Sequence, residues 1–243
     1  LSISGTSSFT DSANAGIDLG TLQSDGAVTV SGGATTIVND SALALQGTVA
    51  GTLAATATTG GITDSATLDV TGTSSLTDVA DAGITLNTLQ SNGAVTVDGG
   101  DTVIVNDSAL ALQGTVTGTL AATATTGGIT DSGILDITGT SSFTDSANAG
   151  IDLGTLQSDG AVTVSGGATT IVNDSALALQ GTVTGTLAAT ATTGGITDSG
   201  TLSISGTSSF TDSANAGIDL GTLQSDGAVT VSGGATTIVN DSA

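Results

Sequence analysis

The chain is 243 residues long and holds 22 acidic residues, all of them Asp, with no Lys, Arg or His, so its formal net charge is −22. With no cation to neutralise a phosphate, nucleic acid and anionic membrane surfaces are excluded as partners. The lack of Cys and His excludes soft and borderline metal sites. No apolar run approaches the roughly 20 residues that span a bilayer.

High single-signed charge favours disorder only where apolar residues are scarce. Here 37% of residues are hydrophobic, and they alternate with small polar ones. The absence of Cys gives no redox reading, but it suits a chain that crosses membranes unfolded. The chain opens in mid-pattern without Met, and the expectation is that it was cut from something longer.

One self-similarity dominates. Leu1-Ser-Ile-Ser-Gly5 and the residues that follow return from Leu68, from Leu135 and from Leu202. The copies are 1–67, 68–134, 135–201 and the partial 202–243, with no linker between them, and residues 202–243 are identical to 1–42. The whole of 1–243 therefore reads as one continuous array.

Along a copy the expected elements are short strands of period two. Leu1/Ile3, Ile17/Leu19, Val28/Val30 and Leu43/Leu45 each place apolar side chains on one face. Gly5, Gly20, Gly26, Gly32-Gly33, Gly47, Gly51 and Gly60-Gly61 punctuate them. The Ala-rich stretch Leu53–Ala57 is too short for a useful helix. Three related units begin at Leu1, Val28 and Leu53 and average about 22 residues, the length of one coil of a three-sided β-solenoid. At three coils per copy, eleven coils would extend roughly 50 Å.

Equivalent positions keep their character from copy to copy: Ile37, Ile104, Ile171 and Ile238, or Phe9, Leu76, Phe143 and Phe210. A thin coil cannot bury its apolar face alone, so stacked neighbours must cover it. Burying each Leu, Ile or Val contributes roughly 1.5–3 kcal/mol. The Asp11 and Asp40 series recur with the same period. At three coils per copy, equivalent carboxylates lie about 14 Å apart, beyond the screening length of about 8 Å in physiological salt.

Candidate chemistry is sparse. Asp18 with Asp25, or Asp11 with Asp40, could in principle form a glycosidase pair. They recur in nearly every copy, whereas an active site needs one specialised place with uneven environments. Ser and Thr have no base to activate them. No catalytic, cofactor-binding or metal-ligating residue is assigned, and the chain reads as non-enzymatic.

Calcium, weakly bound at Asn39-Asp40-Ser41 or Asn106-Asp107-Ser108, is the one metal the composition admits. Plain turns are the favoured reading, since the sequence contains no calcium-loop motif. The same triplets are formal glycosylation sequons at Asn39, Asn106, Asn173 and Asn240. Thr56 and Thr58 make one TxT pair per copy, too few for an ice-binding array.

Gly26-Ala-Val-Thr-Val30, Asn39-Asp-Ser-Ala-Leu-Ala-Leu-Gln-Gly47, Gly51-Thr-Leu-Ala-Ala-Thr-Ala57 and the run from Gly61 to Thr73 resemble filamentous-haemagglutinin-type repeats of giant bacterial surface proteins. The resemblance covers all four copies. It implies a right-handed parallel β-helix, export across the outer membrane of a Gram-negative bacterium, and a role in adhesion or surface structure. The expected function is an extracellular fibre or stalk of a large secreted adhesin. The alternative is a subunit of a self-assembling, functional-amyloid-like filament or sheath. Expected partners are the chain itself, through coil stacking or filament assembly, and a host or neighbouring cell surface.

Overall fold

Alternating apolar and small polar residues favour strands. With parallel strands, each coil can donate to and accept from the coils on either side of it. The computed structural model describes residues 1–242, and they form a parallel β-solenoid of 26 strands with no helix. The first nine strands are β1 (Ser2–Ile3), β2 (Ser7–Thr10), β3 (Ile17–Ser24), β4 (Val28–Gly32), β5 (Thr35–Asn39), β6 (Leu43–Val49), β7 (Leu53–Ala57), β8 (Ile62–Val70) and β9 (Ser74–Asp78). β9 is the counterpart of β2 one copy later, and the series runs on to Thr236–Asn240.

Odd-numbered strands stack into one 13-stranded sheet and even-numbered strands into another. The core lies between them. The solenoid is thus two-sided, not three-sided, because each coil turns twice. A copy comprises the seven strands β2 to β8, or three and a half coils. Seven is odd, so each copy begins on the sheet opposite to the last: β2 lies in the even sheet and β9 in the odd one. Equivalent residues are related by a half-turn and an axial step of about 17 Å, and return to the same side only after about 34 Å.

Coil length varies, and this shapes the sheets. The register pairs Val28 with Leu45 across a short coil, and Ile62 with Ile84 across a distinctly longer one. Surplus residues are absorbed as bulges, with register shifts between Leu19 and Leu22 and between Leu45 and Gly47. At Gly47 the backbone takes φ 112°, and a Cβ there would stand 2.0 Å from the Val30 carbonyl oxygen. Only glycine fits that bulge.

Each sheet is therefore banded. In the odd sheet β5, β7, β9 and Val95–Gly99 have five residues each and pair without any shift. The strands that follow, Leu110–Val116, Ile129–Ile137 and Ile151–Ser158, are longer and bulged. The even sheet has the same bands offset by one copy, so a flat band on one side is backed by a bulged band on the other.

The inward residues are the expected ones. Ile37, Ile104 and Ile171 are fully buried, as are Leu76, Phe143 and Phe210 at one shared position. Ser74, Ser141 and Ser208 point inward at another, and their hydroxyls find no partner. Ser74 stacks between Leu53 and Val95.

Because the half-turn makes the two sheets equivalent, Ile104→Asp and Ile171→Asp should be equally harmful although they lie in opposite sheets. Each should cost more than about 3 kcal/mol by burying an unpaired charge. Hydrogen exchange should show protection lost only in the mutated coil and its neighbours. Loss at one site with none at the other would contradict the equivalence.

Candidate functional site

The carboxylate pairs do not converge. Asp11 sits in the connection from even to odd sheet, whereas Asp40 follows β5 in the connection from odd to even sheet, so the two occupy opposite edges. Asp18 is exposed on β3 and Asp25 is exposed in the connection after it. Among the described residues no three acidic side chains come together in a way that could hold a metal ion. Among them, too, no helix is long and apolar enough to cross a membrane.

Polar side chains instead repair the backbone ladder where coils of unequal length diverge. Asn39 is completely buried at the end of β5. Its Oδ1 accepts from the Ser24 N–H (2.8 Å), and its Nδ2 donates to the Ser24 carbonyl (3.0 Å), the Ala42 carbonyl (2.8 Å) and the Ser41 hydroxyl (3.1 Å). The amide thus takes the place of a peptide group for the neighbouring coil. Asn106 and Asn173 make the same bonds to Ser91 and Ser158.

The calcium and sequon readings meet this geometry directly. A cation at Asn39-Asp40-Ser41 would compete with the Ser24 N–H for the amide oxygen. A glycan would need an amide nitrogen that is already donating into the core. Asp40 itself is exposed.

The Asp11 series is drawn into the fold at its turns. Asp78, Asp145 and Asp212 are only 2% exposed. Each carboxylate wraps around its own turn: Asp145 accepts from the N–H groups of Ala147 (3.1 Å) and Gly150 (2.6 Å). The turn needs Asn148 at φ 55°, a left-handed position that Asn and Asp tolerate. At Asp11, the Gly16 N–H above all holds the carboxyl below its ordinary value, against partial burial that raises it, with Ala13 and Ala15 adding to the lowering.

Two further anchors had no clear signal in the sequence. Asp64 reaches the bulge of the next coil, accepting from the Asn87 N–H (3.0 Å), the Thr88 N–H (2.5 Å) and the Thr88 hydroxyl (2.9 Å). Asp131 and Asp198 do the same for Thr155 and Thr222. Asp101 stands where the other copies have Ala34, Ala168 and Ala235. It accepts from the Thr119 N–H (2.7 Å) and hydroxyl (2.9 Å). The Thr119 N–H, then its hydroxyl, hold the Asp101 carboxyl below its ordinary value, opposed by desolvation.

One open groove recurs in each full copy beside the bulge. In the second copy it is lined by Thr88, Gln90, Val105, Asp107 and Thr125, and in the third by Thr155, Gln157, Val172, Asp174 and Thr192. Each offers one carboxylate with hydroxyls and an amide. Such a set can hydrogen-bond a polar group, but it contains no acid–base pair.

Two consequences can be measured. Asn106→Ala should cost at least about 2 kcal/mol in urea unfolding, since it leaves the Ser91 peptide groups buried without partners. Asp107→Asn next to it should stay within about 0.5 kcal/mol of the parent. Equal costs would contradict the assigned roles.

Asp101 gives a pH signature. Its folded pKa is depressed, so its contribution is present above the unfolded value of about 4 and is lost as pH falls through the folded value. Asp101→Asn should therefore melt below the parent at about pH 6, and the gap should narrow as the pH is taken below about 4. A gap independent of pH would show that the carboxylate charge contributes nothing.

A search of curated proteins and a search of solved structures each returned no match. A family of repeats of unknown function, DUF5649, matches residues 32–98, 99–165 and 166–232. Its three tandem units have the same period as the array, framed from Gly32 at the end of β4, and together they take in most of the chain. The chain belongs to the DUF5649 repeat family.

Proposed function

We propose that this chain is a stalk segment of an extracellular fibre or adhesin on a bacterial surface, and that its work is to hold length and stiffness. The observation that carries this reading is the pair of uninterrupted 13-stranded parallel sheets, built from one seven-strand copy repeated without a linker. Solenoid stability is a sum of nearest-neighbour terms, so length can be extended copy by copy. The side-chain bonds that recur at Asn39 and Asp64 serve that ladder and those at Asp78 hold its own turn, and among the described residues none of the three converges with another on a ligand.

The acidic exterior fits a rod kept solvated and apart from other acidic surfaces. The resemblance to filamentous-haemagglutinin-type repeats supports the assignment to the outside of a Gram-negative cell.

Chains built with two, three and four copies should form rods whose length by small-angle scattering grows linearly, by about 17 Å per copy. Antibody against the repeat should label intact source cells without permeabilisation. Length that does not scale with copy number, or label confined to permeabilised cells, would overturn the stalk reading.

A further inference from the structure

The banding of the two sheets divides the broad sides of the rod by charge. On the flat band Thr102–Asn106, Leu120–Ala124, Ser141–Asp145 and Val162–Gly166, the outward residues include Val105, Ala121, Thr123, Ser142 and Thr144, and none is charged. The flat band of the third copy, on the opposite side, is equally free of charge, and that of the first carries only Asp98 at its last strand. The bulged bands carry Asp18, Asp64, Asp69, Asp131, Asp136, Asp152, Asp198 and Asp219.

We propose that the flat bands are contact surfaces for a second copy of this chain, and that rods associate side by side through them. The occupant follows from charge and shape. A chain without any cationic side chain cannot offer a counter-charge to its own Asp residues, so two copies can approach closely only where neither presents a carboxylate. That condition is met by the flat bands of the second and third copies, is broken in the first only by Asp98 on its last strand, and is met by no bulged band.

These strands are also short, unshifted and faced with Thr, Ser, Ala and Val, which lets two sheets lie face to face at about 10 Å. A sugar or single-stranded nucleic acid would want aromatic platforms. The chain has three Phe and no Tyr or Trp, and Phe143 and Phe210 lie inside the core.

Size sets the strength. Four strands of five residues cover about 19 by 16 Å, roughly 300 Å² per band, well under the 800 Å² or so per partner of a stable complex. One band is therefore weak, and affinity accumulates with the number of copies engaged. In that arrangement the acidic bands of two rods also face each other, so association strengthens as salt screens them. Flat bands alternate between opposite sides from copy to copy. A rod in contact with one neighbour keeps flat bands free for another, and the product is a layer of rods, not a closed dimer. The proposal is independent of the stalk reading, since a rod that never associates is still a rod.

The test is sedimentation of the whole chain from about 10 mM to about 1 M NaCl, over which the screening length falls from about 30 Å to about 3 Å. The association constant should rise at least about tenfold across that range. Ala54→Asp, Ala121→Asp and Ala188→Asp together place one exposed carboxylate in the middle of each flat band and should abolish association. Thr63→Asp, Thr130→Asp and Thr197→Asp add the same charge to bulged bands, where it stays in water, and should leave association intact at about 1 M NaCl.

A second measurement does not depend on the charged variants folding. Ala121→Cys, in a chain without other Cys, should be cross-linked between chains by a short bis-maleimide at high salt, and Thr130→Cys should not. A monomer at every salt concentration, equal loss in both triple variants, or equal cross-linking from both Cys positions would each overturn the proposal.

Discussion

The parallel backbone ladder between successive coils is the constraint to which everything else in this chain answers. Each coil is too thin to bury its own apolar face, so peptide groups and side chains alike depend on the coils above and below. A ladder wants coils of equal length, yet the coil from Val28 to Leu45 is markedly shorter than the coil from Ile62 to Ile84. The difference is absorbed in bulges, and the bulges leave peptide groups without ladder partners. Asn39 at Ser24 and Asp64 at Thr88 restore those bonds. The recurring polar residues of the repeat are thus explained by backbone accounting, before any ligand is invoked.

Charge obeys the same geometry. A copy of seven strands in a two-sheet solenoid sends each Asp to the opposite side of the rod one copy later. The Asp40 series consequently forms no ladder. Equivalent carboxylates recur along one edge only after about 34 Å, several times the physiological screening length of about 8 Å. An even number of strands would have kept every copy on one side and halved that spacing. The odd count gives an acidic rod two chemically mixed sides, each alternating flat neutral bands with bulged acidic ones.

The positions that misled a reading of the sequence share a cause. Asp78 and Asn106 look like turn residues, and by local propensity they are. The structure buries both, because a carboxylate or amide that satisfies two or more backbone groups is less costly inside than those groups left unpaired. Asp64 carried no local signal at all, since its partner Thr88 lies 24 residues ahead and becomes a neighbour only through the coil. Three related units per copy were visible as motifs. Motif count is not coil count, however, when the coil that carries Thr35 onto Leu53 is shorter than a motif and even the coil from Ile62 to Ile84 only matches one.

The sequence by itself determined the strand character, the repeat period, the inward apolar set and the absence of any cationic side-chain chemistry, because alternation and composition are local properties of the chain. The tertiary structure alone decided that the coil has two sides, that successive copies face opposite ways, and which polar residues are buried. Those depend on how many residues each coil spends in its corners, and that number is settled by stacking one coil on the next.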